Sequence, residues 1–416
     1  MLQKAKYWLP ILTRFLAGQA MVQIINFATA LILLRLLSIN EYALFVIANF
    51  FLNIGSTGSD LNLSNALVTY GARMTGDRKG LSGLFALIVR MRTKLFFLVV
   101  LVVCAIAPFT IKGHDWSYLD VFVVLITVLL IVWFQQKVTL RMMVLNIHHD
   151  SIGLFQTTMI GAIARLIFST IFCLFLPFAV VAVLSSLLAT YISGWRSKKR
   201  CAIYLDDAIA ADESYKERVN KYVLPMMPAA AYYLFQGQIS ILMISIFGAV
   251  NAIAEVGALT RFGQLFALLG VLNGFFFQPM FSRINSRKEF IQKGLLVTVV
   301  LAGLFGLILL SAYLKPDWWL LLLGARYATM QEEVLLAFAG PIATYMYGIF
   351  FSLIISRAFT QGQNWYVAAT LIAQILFIVI IGVDTTHKAL LLNFVSSATA
   401  MIVEFTLLII LLKKWR

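Results

Sequence analysis

Ionisable side chains inside long apolar segments are the residues of this sequence best placed to do chemistry. They are Asp60, Arg165, Arg261 and Glu404, with Glu255 near the end of a segment. Where such a segment crosses a bilayer, a charge at its centre costs about 2.5–3.5 kcal/mol even on the most lenient scale. Each group therefore needs an opposite charge, a water-filled cavity or a bound ion. The chemistry open to them is the binding of charged solutes or the transfer of protons.

For each arginine, a purely structural role is the alternative to contact with a substrate. Arg261 either forms an ion pair with Glu255 or Asp60, or it contacts an anionic substrate. For Arg165 the alternative is a structural pair within the first half of the chain. Arg35 lies at the outer end of the first apolar segment, where placement at the membrane interface is the alternative to substrate contact.

Polar residues also recur on four apolar segments, and on the first two of them they fall at helical spacing. They are Gln19, Gln23 and Asn26 on the first; Asn49, Asn53, Ser56 and Asp60 on the second; Tyr232, Tyr233, Gln236 and Ser240 on the seventh; and Arg261, Gln264, Asn273 and Gln278 on the eighth. On each of the first two segments this spacing puts the polar set on one helix face. Because unpaired polar groups are costly in hydrocarbon, we expect these faces to line a polar, substrate-binding cavity. The expected cavity residues are Arg261, Arg165, Arg35, Gln23, Asn26, Asn53, Tyr233, Gln236 and Gln264.

The composition places these segments in a membrane. Of the 416 residues, 61% are hydrophobic and 12% are charged, whereas soluble chains are about 45–50% apolar and 25% charged. We predict an all-α polytopic membrane protein, because a β-barrel would show short segments of alternating polarity. About twelve segments are long enough to span a bilayer: 15–34, 42–67, 94–110, 119–139, 152–172, 175–195, 223–247, 254–280, 292–313, 331–355, 364–382 and 389–412.

Lysine and arginine are distributed unevenly between the loops on the two sides. With the N-terminus inside, nearly all of the 33 fall on inner segments. The exceptions are Arg35, Lys112, Lys315, Arg326 and Lys388 on the outer side, and Arg165 and Arg261 within spans. Positive residues favour the cytoplasmic side, so both termini are predicted there. The net charge of +15 then belongs to the inner rim of the membrane and does not indicate nucleic-acid binding.

A polar loop near the middle of the chain suggests two halves. We predict an N-terminal six-helix bundle over 1–200, a cytoplasmic linker over 201–222 and a C-terminal six-helix bundle over 223–416. A weak internal repeat accompanies this division, because Glu41 and Glu255 each follow a polar turn and open the second span of their half. Halves of this kind are typical of transporters.

Signatures of enzymatic chemistry are missing from the sequence. It contains no Walker loop, GxSxG or HExxH motif. Its three cysteines are scattered and give neither a disulfide framework nor a metal spacing. We read His148, His149 and Asp150 as polar loop residues, and we expect no catalytic residue, metal or cofactor.

Several stretches carry a family resemblance. They are LRLLSINEY at 34–42, DLNLSNAL at 60–67, Leu224-Pro225, Phe247-Gly248 and VGALTRF at 256–262. With them the chain resembles the polysaccharide-exporter branch of the multidrug/oligosaccharidyl-lipid/polysaccharide (MOP) flippase superfamily, and within it the Wzx-type O-antigen flippases. The resemblance implies two six-helix bundles, alternating access, a bacterial inner-membrane location and a short glycan on undecaprenyl diphosphate as substrate. Membrane lipids and other polysaccharide-assembly membrane proteins are the further partners it implies.

Three functional hypotheses follow. The first is a flippase for a lipid-linked oligosaccharide, with the diphosphate on arginine side chains. The second is a cation-coupled multidrug exporter of the same fold, which would favour acidic residues in the cavity. The third is a membrane-embedded glycan polymerase or ligase, which generally needs a large outer loop, and the longest one here, 314–330, is short. Lipid II flippases usually carry two extra helices, for which this chain has no room.

Carboxylates within spans could couple transport to a proton or sodium gradient. Asp60 and Glu404 are the candidates, with Glu255 as a third. Structural alternatives apply here too, since Asp60 could pair with an arginine, and Glu404 lies near the inner face, where water could reach it.

The charge distribution predicts the orientation in the membrane. Reporter fusions after Asp206 and at the C-terminus should report the cytoplasm, and a fusion after Asp115 should report the periplasm. A periplasmic signal from the fusion after Asp206 would overturn this orientation.

Overall fold

The computed structural model describes residues 2–112, 114–266, 269–270, 273, 277–282, 284, 286–357 and 364–415. The chain is mostly helical over these residues, and no strand occurs among them. The predicted all-α fold class is therefore confirmed. The chain divides into two compact units, Met1–Gln238 and Ile239–Arg416.

The helices of the first unit follow one another with short connections. They are α1 (Leu2–Leu36), α2 (Ile39–Gly58), α3 (Leu63–Gly71), α4 (Arg78–Ile111), α5 (Tyr118–Ile147), α6 (Ser151–Phe175), α7 (Ala179–Cys201), α8 (Lys216–Val223) and α9 (Met227–Gln236). The long helices α5, α6 and α7 pack on one another, and α2 packs against both α4 and α5.

The second unit contains a similar series of long and short helices. They are α10 (Ile239–Phe247), α11 (Val250–Leu259), α12 (Gln278–Ser282), α13 (Arg287–Leu314), α14 (Pro316–Leu323), α15 (Gln331–Ile355), α16 (Asn364–Ile380) and α17 (Thr386–Lys414). A 3-10 segment, Thr260–Phe266, follows α11 directly. Helix α17 packs against both α15 and α16.

Over the residues that the structure describes, the predicted spans fall on a helix or on a series of consecutive helices. Among the described residues, eight helices are long and apolar enough to cross a membrane, and α9 with α10 counts as a ninth, bent span. The second and eighth predicted spans are also interrupted, after α2 and after α11. The chain is thus a multi-pass membrane protein.

Helix α4 begins well before its apolar run. The sequence predicts a span at 94–110 and assigns Arg90, Arg92 and Lys94 to an inner segment, yet all three lie within α4. The helix begins earlier because Asp77 caps it, accepting a hydrogen bond from the Gly80 N–H at 2.9 Å. Capping, rather than hydrophobicity, sets this boundary.

The predicted linker is docked on the first unit. Its polar contacts join Arg78 Nη2 to the carbonyl oxygens of Ala202 (2.9 Å) and Leu205 (3.0 Å), Arg141 Nη2 to Asp207 Oδ2 (3.0 Å), and the Tyr70 hydroxyl to the carbonyl of Arg218 (3.0 Å). Leu205 and Val219 are buried in the same apolar cluster as residues of α3, α4 and α5. This docking explains why residues 201–222 belong to the first compact unit. The division into 1–200, 201–222 and 223–416 stays a prediction.

Two glutamates make equivalent contacts in the two units. Glu41 Oε2 accepts a hydrogen bond at 2.6 Å from the Ala179 N–H, where α7 begins. Glu255 Oε2 accepts a hydrogen bond from the Thr386 hydroxyl, where α17 begins. These helices are the sixth predicted spans of their halves, so each glutamate joins the second span to the start of the sixth. The shared contact supports the internal repeat.

We expect Glu41→Ala to lower the stability of the first unit. The carboxylate satisfies a backbone N–H at a helix N-terminus, and loss of such a cap costs about 0.5–2 kcal/mol. The measurement is thermal unfolding of the purified protein in detergent. Asp384→Ala is the matched control, because it removes an exposed carboxylate that pairs with Lys388, and exposed pairs contribute little. Equal melting temperatures for the two variants would contradict the capping role.

Candidate functional site

The first interruption lies between α2 and α3, at residues 59–62. The backbone there turns through the left-handed region, with φ of 36° at Leu61 and 71° at Asn62. Asparagine adopts this conformation more readily than most residues, whereas leucine rarely does. The turn therefore depends on contacts that hold it, and Asp60 provides them.

Asp60 caps α3 and pairs with a buried arginine. Its Oδ1 accepts hydrogen bonds from the Ser64 N–H (3.1 Å) and the Ser64 hydroxyl (2.6 Å). Arg92 Nη1 of α4 lies 3.6 Å from the same oxygen. Arg92 is 2% exposed and also donates to the carbonyl of Gln136 on α5 at 3.1 Å. Asp60 thus links the interrupted span to α4, and Arg92 extends the link to α5.

Arg92 is a residue that the sequence analysis missed, because it stands in a basic stretch. A signal was nevertheless present. The buried positions of α4 include 85, 88, 92, 96 and 99, which recur every three or four residues and form one face. Arg92 occupies a position on this apolar stripe, where a charge requires a partner.

The Asp60–Arg92 pair affects whether Asp60 can couple transport to an ion gradient. Protonating Asp60 would leave the buried guanidinium without its counter-charge, and unpairing a buried charge is strongly destabilising. The arginine pairing left open in the sequence analysis is therefore present. A role for Asp60 in ion coupling remains a prediction, opposed by this argument.

The second interruption carries Arg261 and Gln264. Helix α11 ends at Leu259, and the 3-10 segment Thr260–Phe266 follows. Phe262 and Phe266 point into the unit and are buried, whereas Arg261 and Gln264 lie on the less buried side. Within the described residues, Gln264 Oε1 is buried without a hydrogen-bond donor. A polar ligand could supply that donor, since buried polar atoms are nearly always paired.

Gly263 permits close packing of this segment. A Cβ at Gly263 would lie 3.3 Å from Pro341 Cγ in the middle of α15, which is tighter than ordinary van der Waals contact. Proline lacks the N–H that would continue the α15 ladder. The 3-10 segment therefore packs directly on a proline-interrupted turn of its neighbour.

A third interruption follows Gln236, where α9 ends. Gln236 is partly buried, and its Oε1 also has no hydrogen-bond partner in the described part of the chain. Tyr233, one turn earlier on α9, is exposed. The amide of Gln236 and the ring of Tyr233 therefore lie one turn apart, next to the break between α9 and α10.

The remaining predicted cavity residues lie on the first unit. Gln23 and Asn26 are partly buried on α1, Arg35 is exposed near its end, Asn53 is exposed on α2, and Arg165 is partly buried on α6. On α2 the fully buried residues occupy other faces than Asn49, Asn53 and Ser56. Of the polar stripe of α2, Asn53 is exposed, whereas Asn49 and Ser56 are partly buried. Substrate contact by these residues stays a prediction.

The carboxylates of the second unit have specific positions. Two carboxylates were considered as partners of Arg261. Glu255 accepts a hydrogen bond from the Thr386 hydroxyl, and Asp60 pairs with Arg92. Glu404 is 0% exposed on α17. The expectation that water reaches it near the inner face is wrong, because α15 and α16 pack around α17.

His148 and Asp150 have structural contacts. Asp150 accepts hydrogen bonds from Arg200 Nε (2.6 Å) and from the Gly153 N–H (2.9 Å), which caps α6. The hydrogen bond from Arg200 lowers the pKa of Asp150 below its ordinary value. The His148 ring stacks on Tyr204 at 4.1 Å. These contacts hold the loop between α5 and α6 against the end of α7.

Comparison with known proteins identifies the fold. No protein-family model and no curated protein matches the chain. Among solved structures, an inward-facing multidrug resistance MATE family transporter of the MOP superfamily aligns with a TM-score of 0.72 and 13% identity over 94% of both chains. Lipid II flippase MurJ in an inward closed conformation aligns with a TM-score of 0.71 and 11% identity over 95% of this chain and 87% of its own.

A third structure, a point mutant of the Vibrio cholerae MATE transporter VcmN, aligns with a TM-score of 0.60 and 17% identity over 97% of both chains. At these identities the similarity is one of fold. The chain has the fold of MOP superfamily transporters over nearly its whole length.

We expect Asp60→Asn to destabilise the protein. Asparagine keeps an acceptor for Ser64 but removes the counter-charge of Arg92, so the variant should lose about 1–3 kcal/mol of unfolding free energy. Arg92→Met in addition should recover part of that loss. The measurement is thermal unfolding in detergent.

Glu213→Gln is the matched control for this experiment, since it breaks an exposed pair with Arg90. A wild-type melting temperature for Asp60→Asn would show that the buried pair contributes no stability.

Proposed function

We propose, from this transporter fold, that the chain is a flippase that moves an oligosaccharide linked to undecaprenyl diphosphate from the inner to the outer leaflet of the bacterial inner membrane by alternating access. The observation that carries the proposal is the interruption of the second predicted span in each half. Asp60 lies at one interruption and Arg261 at the other. Interrupted spans in corresponding positions of two halves are the best pointer to a transporter's substrate site.

Arginine suits a diphosphate at such a site. Its planar guanidinium donates two parallel hydrogen bonds to phosphate oxygens. A diphosphate in an apolar environment without a fixed cation would be prohibitively costly. Arg261 is the first candidate for this contact, with Arg165 and Arg35 as further candidates.

The other polar side chains suit a glycan. Sugars present hydroxyl groups that both donate and accept hydrogen bonds, as amides do. The residues proposed for this contact are Gln23, Asn26, Asn53, Gln236 and Gln264, with Tyr233 offering an aromatic ring. The orphaned oxygens of Gln236 and Gln264 support their assignment.

The neighbouring structures support a lipid-linked substrate, since one of them is a lipid II flippase. The O-antigen type of glycan rests on the sequence resemblance. Both termini are placed in the cytoplasm by the distribution of Lys and Arg, and a proton or sodium gradient is the proposed energy source. Glu404, which is buried on α17, is the carboxylate proposed for coupling, because Asp60 is already paired with Arg92.

A cation-coupled multidrug exporter is the second candidate. The MATE transporters among the neighbouring structures favour it, as does buried Glu404. The basic side chains Arg261 and Arg165 favour an anionic substrate instead. Export of cationic dyes by cells that carry the chain, with unchanged surface glycan on its deletion, would support this second candidate.

We expect Arg261→Ala to abolish glycan export while the protein still inserts at normal levels. Arg261→Lys should retain partial activity, because the charge remains but the two-pronged geometry is lost. The measurement is surface polysaccharide in cells that lack their own copy, normalised to the amount of protein in the membrane. Arg287→Ala, an exposed arginine of the same unit, is the control and should export normally.

A structural role for Arg261 gives a different pattern. If its function were only to pair with Glu255, Arg261→Ala would lower protein abundance, and added Glu255→Ala would restore export. Normal export by a well-expressed Arg261→Ala protein would rule out substrate contact.

A further inference from the structure

An aromatic stack fixes the segment that carries Arg261. Phe262, the next residue, stacks on Phe338 of α15 with ring centroids 4.8 Å apart and planes 15° apart. Trp319 of α14 lies edge-on to Phe338 at 4.7 Å and to Phe262 at 6.0 Å. Phe262 and Phe338 are both fully buried. Three rings from three elements therefore meet beside Arg261.

Trp319 reaches this stack from the connection between α13 and α15. On α14, adjacent tryptophans face opposite ways: Trp318 is 69% exposed, whereas Trp319 is partly buried. The indole N–H of Trp319 donates to the Ser311 hydroxyl at 3.2 Å. Ser311 lies near the end of α13, so the indole is held in place at its polar edge as well as at its ring.

Further contacts, in addition to this stack, restrict the backbone that follows Arg261. Gly263 packs on Pro341, and the Phe266 ring contacts Phe305 of α13 at 5.7 Å. These contacts follow Arg261, and Phe262 is the first of them along the chain. The Arg261 backbone therefore lies between buried Leu259 on one side and the stacked Phe262 on the other, and what packs against Phe262 contributes to its position.

We infer that Trp319 is a positioning residue for Arg261, acting through Phe338 and Phe262. The inference rests on the proposed contact between Arg261 and a diphosphate. Removing the indole opens a space beside two stacked rings, and their segment can then shift into it. A bidentate guanidinium contact depends on geometry, so a small shift weakens anion binding while the charge itself remains.

The test is binding of farnesyl diphosphate, a soluble isoprenoid diphosphate, to the purified full-length protein in detergent, measured by calorimetry. Trp319→Leu should weaken binding about two- to tenfold, the range that loss of an aromatic pair would give. Trp319→Phe keeps a ring and should bind nearly as well as wild type. Trp318→Leu is the matched control on the same helix and should leave binding unchanged.

A double-mutant cycle separates positioning from general destabilisation. In an Arg261→Ala background, Trp319→Leu should weaken the residual binding no further, although its melting temperature still falls. Equal weakening in both backgrounds, or no weakening in wild type, would overturn the positioning role. Unchanged binding by Arg261→Ala itself would overturn the diphosphate contact. Weakening by Arg261→Ala but not by Trp319→Leu would overturn the inference alone.

Discussion

The need to satisfy every backbone polar group within a bilayer governs this structure. A helix satisfies its own groups, so a span can be interrupted only where other parts of the protein replace the lost hydrogen bonds. Asp60 does this at residues 59–62 by capping α3 with its carboxylate. At the second interruption Thr260 satisfies one backbone carbonyl, because its hydroxyl donates to the carbonyl oxygen of Gly257 at 3.0 Å. The interruptions therefore occur where polar side chains are available.

The same requirement explains the glutamates that join spans. A helix N-terminus inside a bundle exposes N–H groups and a partial positive charge. Glu41 satisfies one such N–H at Ala179, whereas Glu255 accepts a hydrogen bond from the side-chain hydroxyl of Thr386, the first residue of α17. An anionic residue near the start of the second span thus connects two helices in each half, and its recurrence accompanies the internal repeat.

Sequence patterns were sufficient for the spans but not for the partners of their charges. Apolar runs located the eight helices of the described residues that are long and apolar enough to cross a membrane, because hydrophobicity is a local property of the chain. Arg92 was assigned to an inner segment because its neighbours are charged, and its pairing with Asp60 depends on how α3 meets α4. Glu404 was placed within reach of water, because the packing of α17 between neighbours is not visible in one segment. Trp319 could not be told from Trp318, since which of two adjacent rings turns inward depends on Phe338.

The two interruptions are held in different ways, and this difference bears on which charge serves the substrate. At the first, the charged residue is itself the structural element: Asp60 caps α3 and neutralises Arg92. At the second, packing holds the segment, through Phe262 on Phe338 and Gly263 on Pro341. Packing of this kind holds the backbone of Arg261 through the residues that follow it. Such packing suits the proposed anion site, because a charge that holds the fold on its own cannot change partners without destabilising it.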